Sequence, residues 1–170
     1  MFFWIFRKGQ IQLKNNKQVK LEDLISEIEL QIDDTFTFIN TNTGEVITLM
    51  REEMRAAEDE EPLEKFPEWQ RENIEKAISI IEDDDGVYMD FTLRNNFNEY
   101  EIMEDFIVNH KDQKNREELY DTIQGRGAFR RFKDRIIELG VDKQWYKYKE
   151  SKIRQLVIEW CKEHNIKIQD

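Results

Sequence analysis

A chain of 170 residues can bury a core without covalent staples, and 39% hydrophobic content with eleven Phe excludes a disordered polymer despite 37% charged residues. One cysteine, Cys161, excludes an intramolecular disulfide. With only His110 and His164 beside it no His/Cys zinc cage can form, so an oxygen-ligand metal site alone stays open. The net charge of −11 is unevenly placed: residues 1–20 hold five bases and no acid, residues 21–110 hold 26 acids against six bases, and residues 111–170 hold fifteen bases against eleven acids. Such a split implies either a basic end docked on an acidic body or two faces with different partners. The overall acidity disfavours general coating of nucleic acid, whose phosphates most of the surface would repel.

The chain opens with Met1-Phe-Phe-Trp-Ile-Phe6, followed by Arg7 and Lys8. The run is too short to span a bilayer and lacks the form of a signal peptide; an extra strand or an upstream start codon is the plain account of it, an interfacial anchor the sharper alternative, and residues 1–18 read as an N-terminal appendage. No longer apolar run follows, so a cytoplasmic protein with no membrane partner is expected. Leu21, Leu24, Ile25, Ile28 and Ile32 have the spacing of an amphipathic helix. Thr35 to Phe38 alternates with period two, Glu45 to Leu49 is a second β-prone run, and Asn42-Thr43-Gly44 supplies the turn of a hairpin. Arg51 to Glu61 is almost wholly charged and reads as an exposed helix or loop, with Pro62 and Pro67 after it. Ile74, Ala77, Ile78 and Ile81 predict another helix, ended by Asp83-Asp84-Asp85-Gly86. That acidic run lacks the alternating ligands of a calcium loop and reads as a solvated turn. Val87, Met89 and Phe91 alternate as a third strand, which leaves Asp90 on the opposite parity as a weak lead toward acid/base chemistry.

Beyond Asn95 the pattern turns helical. Asn98 and Glu101 have capping-box spacing, with Phe97 and Ile102 as the staple. Leu119, Tyr120 and Ile123 mark a second helix ending at Gly125; Phe129, Phe132, Ile136 and Leu139 mark a third, ending at Gly140. In the last helix Asp142 is the cap, Val141 and Tyr146 the staple, and Ile153, Leu156, Val157, Trp160 and His164 the inward stripe. The expected fold class is α+β: a small antiparallel sheet (hairpin plus a third strand) with packed helices, followed by an all-helical C-terminal half. Residues 19–170 read as a single domain, with a helix/sheet half over 19–95 and a helical half over 96–170.

Signals for chemistry are few. None of Ser26, Ser79 and Ser151 lies in a nucleophile elbow. His164 on an apolar stripe is a core-edge residue before it is a catalyst, and His110 near a helix end complements the helix dipole. Gly125-Arg-Gly-Ala-Phe-Arg130-Arg-Phe-Lys133-Asp134 carries the most information. It opens like a dinucleotide fingerprint, yet Arg130 stands where the third glycine belongs and no strand precedes it. A tight Gly-x-Gly turn instead leads into a helix whose first turns carry Arg126, Arg130, Arg131 and Lys133, and free N–H groups beside guanidinium forks suit an anion. The same donors equally suit ion pairs with the acidic body, with Phe129 and Phe132 as core. Helix geometry turns Arg131 about 100° from Arg130, so one is expected to be buried against a carboxylate of residues 21–110 and the other exposed.

Several segments together resemble a bacterial family catalogued only as an uncharacterised protein family. They are Val19-Lys-Leu-Glu-Asp-Leu24, Asn42-Thr-Gly-Glu-Val46, Glu101-Ile-Met-Glu-Asp-Phe106, the Gly125–Asp134 run and the Trp145 to Trp160 tail. The resemblance spans about Val19 to Ile166 and implies a bacterial origin, but no activity, cofactor or catalytic residue. The favoured reading is a non-enzymatic interaction or regulatory protein. It binds a protein or other anionic partner through Arg126, Gly127, Arg130, Arg131 and Lys133, with Trp145 and Tyr148 nearby, and needs no metal or cofactor. Two alternatives use the same arginines: an enzyme acting on a phosphorylated substrate with Asp90 or Glu104 as base, and an RNA binder with exposed aromatics.

Overall fold

The computed structural model describes residues 17–30 and 32–169, so the readings made for Met1–Phe6, and most of the 1–18 appendage, lie outside the described residues. The chain falls into two compact units. One ends its first segment at Asn95 and resumes at Ile158; the other runs Asn96–Val157. The α+β class is observed, with a three-stranded antiparallel sheet and a helical C-terminal half.

In the first unit, β1 (Val19–Lys20) leads directly into α1 (Leu21–Leu30), whose Leu21, Leu24, Ile25 and Ile28 are buried as their spacing requires. Next come β2 (Thr35–Asn40), β3 (Val46–Met50) and α2 (Arg51–Glu58). A 3₁₀ turn at Leu63–Lys65 precedes α3 (Glu68–Ile81), and β4 (Tyr88–Asp90) and α4 (Leu93–Asn96) follow. The strand order is β3-β2-β4, with Phe38 opposite both Ile47 and Asp90. One sheet face, carrying Phe38, Ile47 and Leu49, shares a core with Met54, Ala56 and Ala57 of α2 and with Ile74, Ala77 and Ile80 of α3. On the opposite parity the Thr37 hydroxyl donates to Glu27 of α1 at 2.8 Å.

Arg51 to Glu61 corrects the sequence reading, because α2 is a core helix. Its inward face is made of one methionine and two alanines, too small a signal to stand out among charges. Its most buried member is a carboxylate: Glu53 accepts from the Met50 N–H at 2.7 Å and from Asn73 Nδ2 at 2.8 Å. A carboxylate that satisfies a free N–H at a helix start and holds a neighbouring amide is stable where an unpaired one would not be. The Asp83–Gly86 run is a turn organiser. Both Asp83 carboxylate oxygens accept backbone N–H groups, from Val87 at 2.9 Å and Tyr88 at 2.7 Å.

The second unit contains α5 (Glu99–Val108), α6 (Gln113–Thr122), α7 (Ala128–Glu138) and the start of α8 (Asp142–Glu163). Asn98 caps α5 and meets Glu101 as the spacing requires, but side chain to side chain: its amide oxygen accepts from the Tyr100 N–H and its Nδ2 donates to the Glu101 carboxylate. Glu99, on the same first turn, has the Lys149 ammonium 2.9 Å from a buried oxygen, an approach off-axis for a hydrogen bond but close for an ion pair. The core here is Phe106, Phe132 and Trp145 with Ile102, Met103, Leu119 and Ile136. Two expected core positions are corrected. Phe129 is 43% exposed and Tyr146, the expected staple, is exposed; Phe132 turns inward as expected, and Trp145 joins it. The end of α8 returns to the first unit, where Trp160 packs edge-on to Phe91 and His164 stacks on Trp160 at 4.1 Å. Beyond it, β5 (Ile168–Gln169) pairs in parallel with β1, so the half expected to be all-helical ends in a short strand.

Candidate functional site

The Gly125–Asp134 run spans the turn from α6 to α7. Gly127, at φ 77°, is the N-cap of α7, a backbone geometry that L side chains rarely adopt, and no side chain caps the helix. The N-cap therefore offers no side-chain acceptor to the first N–H groups of α7, at the positive end of the helix dipole.

Arg131 holds this turn together. Its Nε donates to the Thr122 carbonyl at 3.1 Å, and its two terminal nitrogens donate to the carbonyls of Gln124 and Arg126. One planar guanidinium thus satisfies the last carbonyl of α6 and two carbonyls of the turn, and places a cation at the C-terminal end of α6. From α5, the Tyr100 hydroxyl donates to the Ile123 carbonyl at 3.0 Å, completing the clamp. In the sequence the one sign of Tyr100 is its position beside the Asn98 cap.

The expected division between Arg130 and Arg131 exists in a different form. Neither is buried, and neither pairs with a carboxylate of residues 21–110. Arg131 is bound to backbone carbonyls. Arg130 is 91% exposed at its side chain, with Asp134 at 4.0 Å. Arg126 and Lys133 are exposed as well. Phe129 and Ile137 join Arg130 and Lys133 on the outward face of α7, so that face is both basic and apolar. Three of the five guanidinium N–H groups of Arg131 are thus spent on the turn, whereas Arg126 and Arg130 are exposed. Arg131→Ala should lower stability by about 1.5–3 kcal/mol in urea melts, the range for hydrogen bonds from a charged donor. Arg130→Ala should change it by less than about 0.5 kcal/mol. Arg131→Lys should recover little, because an ammonium lacks the planar fork.

The two aromatic candidates fall elsewhere. Trp145 is 0% exposed, which removes it from any surface. Its ring stands perpendicular to Phe132 at 4.9 Å and to Phe106 at 5.4 Å. Tyr148 is half-buried and donates its hydroxyl to Asp105 at 2.6 Å, while Lys152 approaches the same oxygen at 2.6 Å. Hydrogen bonds from Lys152, then Tyr148, hold the Asp105 carboxyl below its usual range. Burial, reinforced by Asp105, pushes the Tyr148 phenol up. Neither group is activated as a nucleophile or base by this arrangement.

A cleft of about 410 Å³ between α6 and α7 is lined by Glu118, Arg131, Arg135 and Glu138. Arg135 bridges Glu118 and Glu138 at 2.6 Å each, so these three charges of its wall are already paired. Asp90 lies on β4, where burial pushes its carboxyl up, but it lines neither this cleft nor the smaller one beside Val108 and Tyr120. Glu104 is exposed. Among the described residues no His, Cys, Asp and Glu group has the geometry to hold a metal, and no helix is long and apolar enough to cross a membrane. Cys161 is free and buried, and burial pushes its thiol up to about 11.

Fold and turn together define an α+β protein whose most distinctive local structure is an arginine-clamped Gly-Arg-Gly turn opening a basic helix. The chain belongs to the uncharacterised protein family UPF0158, whose model matches residues 18–169. No curated protein matches it significantly, and no solved structure does.

Proposed function

We propose that this is a non-enzymatic interaction protein of the cytoplasm that engages an anionic protein partner through the α6–α7 turn and the outward face of α7. The observation that carries the reading is the division of labour among the cations. Arg131 fixes the turn from within, which leaves Arg126, Arg130 and Lys133 exposed around an uncapped helix start. A fixed turn lowers the ordering cost of binding, and charge-assisted hydrogen bonds to carboxylates reward it. Phe129 and Ile137 beside the cations favour a protein surface over a free anion, because they supply apolar area to be covered. The acidic balance of residues 21–110 argues against a nucleic acid.

The test is partner capture from the native cell with the wild-type chain and with the variant R126E/R130E/K133E. Capture should fall at least tenfold in the variant while its thermal melt stays within a few degrees of wild type. Unchanged capture by the variant would overturn the reading.

A further inference from the structure

The outward face of α7 has a counterpart on the same chain. On α3 and its C-cap, Glu68, Glu72, Glu75 and Glu82 recur at steps of four, three and seven residues, which places them within an arc of about 80° on a 3.6-residue helix. All four are exposed. Glu72 shares Lys76 with Glu45, at 3.3 and 3.2 Å, whereas Glu68 and Glu75 have no ion pair among the described residues. Trp69, 68% exposed, flanks the stripe. An exposed tryptophan next to uncompensated carboxylates is an aromatic and acidic face. The face of α7, with Phe129, Arg130, Lys133 and Ile137, is an apolar and basic one.

We infer that the protein associates with a second copy of itself, the α7 face of one copy docking on the α3 face of the next. The inference rests on the reading of α7 as a binding face and names its partner. Each face supplies what the other lacks: carboxylates for Arg130 and Lys133, and an indole ring on which a guanidinium stacks. Because the two surfaces differ, the contact is heterologous, and a chain of contacts leaves an open face only at each of its two ends. The net charge of −11 opposes the encounter of two copies, so the association is weak and concentration-dependent.

Sedimentation of the full chain up to about 1 mM, with R130A/K133A and E68A/E75A compared with wild type, tests this. The wild-type sedimentation coefficient should rise with concentration, and each variant alone should self-associate at least tenfold more weakly. Mixing the two variants should restore association and stop it at a 1:1 dimer, since one keeps a sound α3 face and the other a sound α7 face. W69A, which alters no charge, should weaken wild-type association severalfold. All substituted positions are exposed, and circular dichroism melts check folding. A wild-type chain that stays monomeric, a variant that associates like wild type, or a mixture that forms no dimer would each overturn the inference. If R126E/R130E/K133E nonetheless loses capture of a cellular partner, α7 remains a binding face and only the second copy is wrong. If that variant captures normally as well, both conclusions fall.

Discussion

Replacing Trp145 with alanine should cost about 3–5 kcal/mol of stability, the range for deleting a large buried aromatic. Against the 5–15 kcal/mol of an ordinary domain, that is enough to bring the unfolding midpoint close to working conditions. The indole is wholly buried and stands edge-on to both Phe106 and Phe132. Phe106 in turn packs on Phe132 and Tyr148, so removing Trp145 opens a void among rings that support one another. Trp145→Phe should cost less, because a ring still fills part of the space. Urea melts with an unchanged denaturant slope give the comparison directly. The indole N–H has no hydrogen-bond acceptor among the described residues, so losing it carries no penalty of its own beyond the packing. Should Trp145→Ala melt like wild type yet lose partner capture, the residue would have to be a surface contact after all.

Trp145, which the local sequence places at the surface and the fold buries, shows where the sequence is legible and where it is not. Its neighbours Lys143, Gln144, Tyr146 and Lys147 are polar or amphipathic, and local context pointed outward. Yet Val141, Trp145, Ile153, Val157 and Cys161 fall on a single i+4 row, with Lys149 as its one charged member. Extending the inward stripe of α8 back by two turns would have found it. Phe129 failed for the complementary reason. The buried stripe of α7 is as narrow as Ala128, Phe132 and Ile136, spaced by four, and an alanine is easily passed over for the aromatic beside it. The strands were easier, because period two over Thr35 to Phe38 and Val87 to Phe91 admits few alternatives. The partners of Arg131 were beyond reach: they are backbone carbonyls, and their direction depends on the left-handed turn at Gly125 and Gly127, which no side-chain pattern records. Glu53 was hidden in the same way, since one charged residue in a charged run gives no sign of being the buried one.

Gly44→Ala is expected to be much more damaging than Gly140→Ala, although both glycines have positive φ, 76° and 66°. The shared conformational penalty is about 1–2 kcal/mol for an L side chain in the left-handed region. At Gly140 nothing else would meet the added methyl group. At Gly44 it would lie 2.5 Å from the Gln18 carbonyl oxygen and 3.0 Å from its carbon, which are backbone atoms and cannot rotate away. The hairpin tip is equally unable to yield. Asn40 accepts from the Asn42 and Thr43 N–H groups through its side chain and from the Gly44 N–H through its carbonyl, and its own N–H donates to Glu45. The strain must therefore pass to the other side of the contact. Gln18 leads into β1, where the Val19 N–H donates to the Lys167 carbonyl at 2.9 Å and Val19 pairs with Ile168 of β5. The expected cost is about 2–4 kcal/mol for Gly44→Ala against about 1–2 kcal/mol for Gly140→Ala, read from parallel urea melts. Amide exchange at Val19 supplies the second readout: it should accelerate in Gly44→Ala and stay unchanged in Gly140→Ala. Equal costs, with Val19 equally protected in both, would mean that Gln18 yields freely and that the β1–β5 pair is independent of the hairpin it touches.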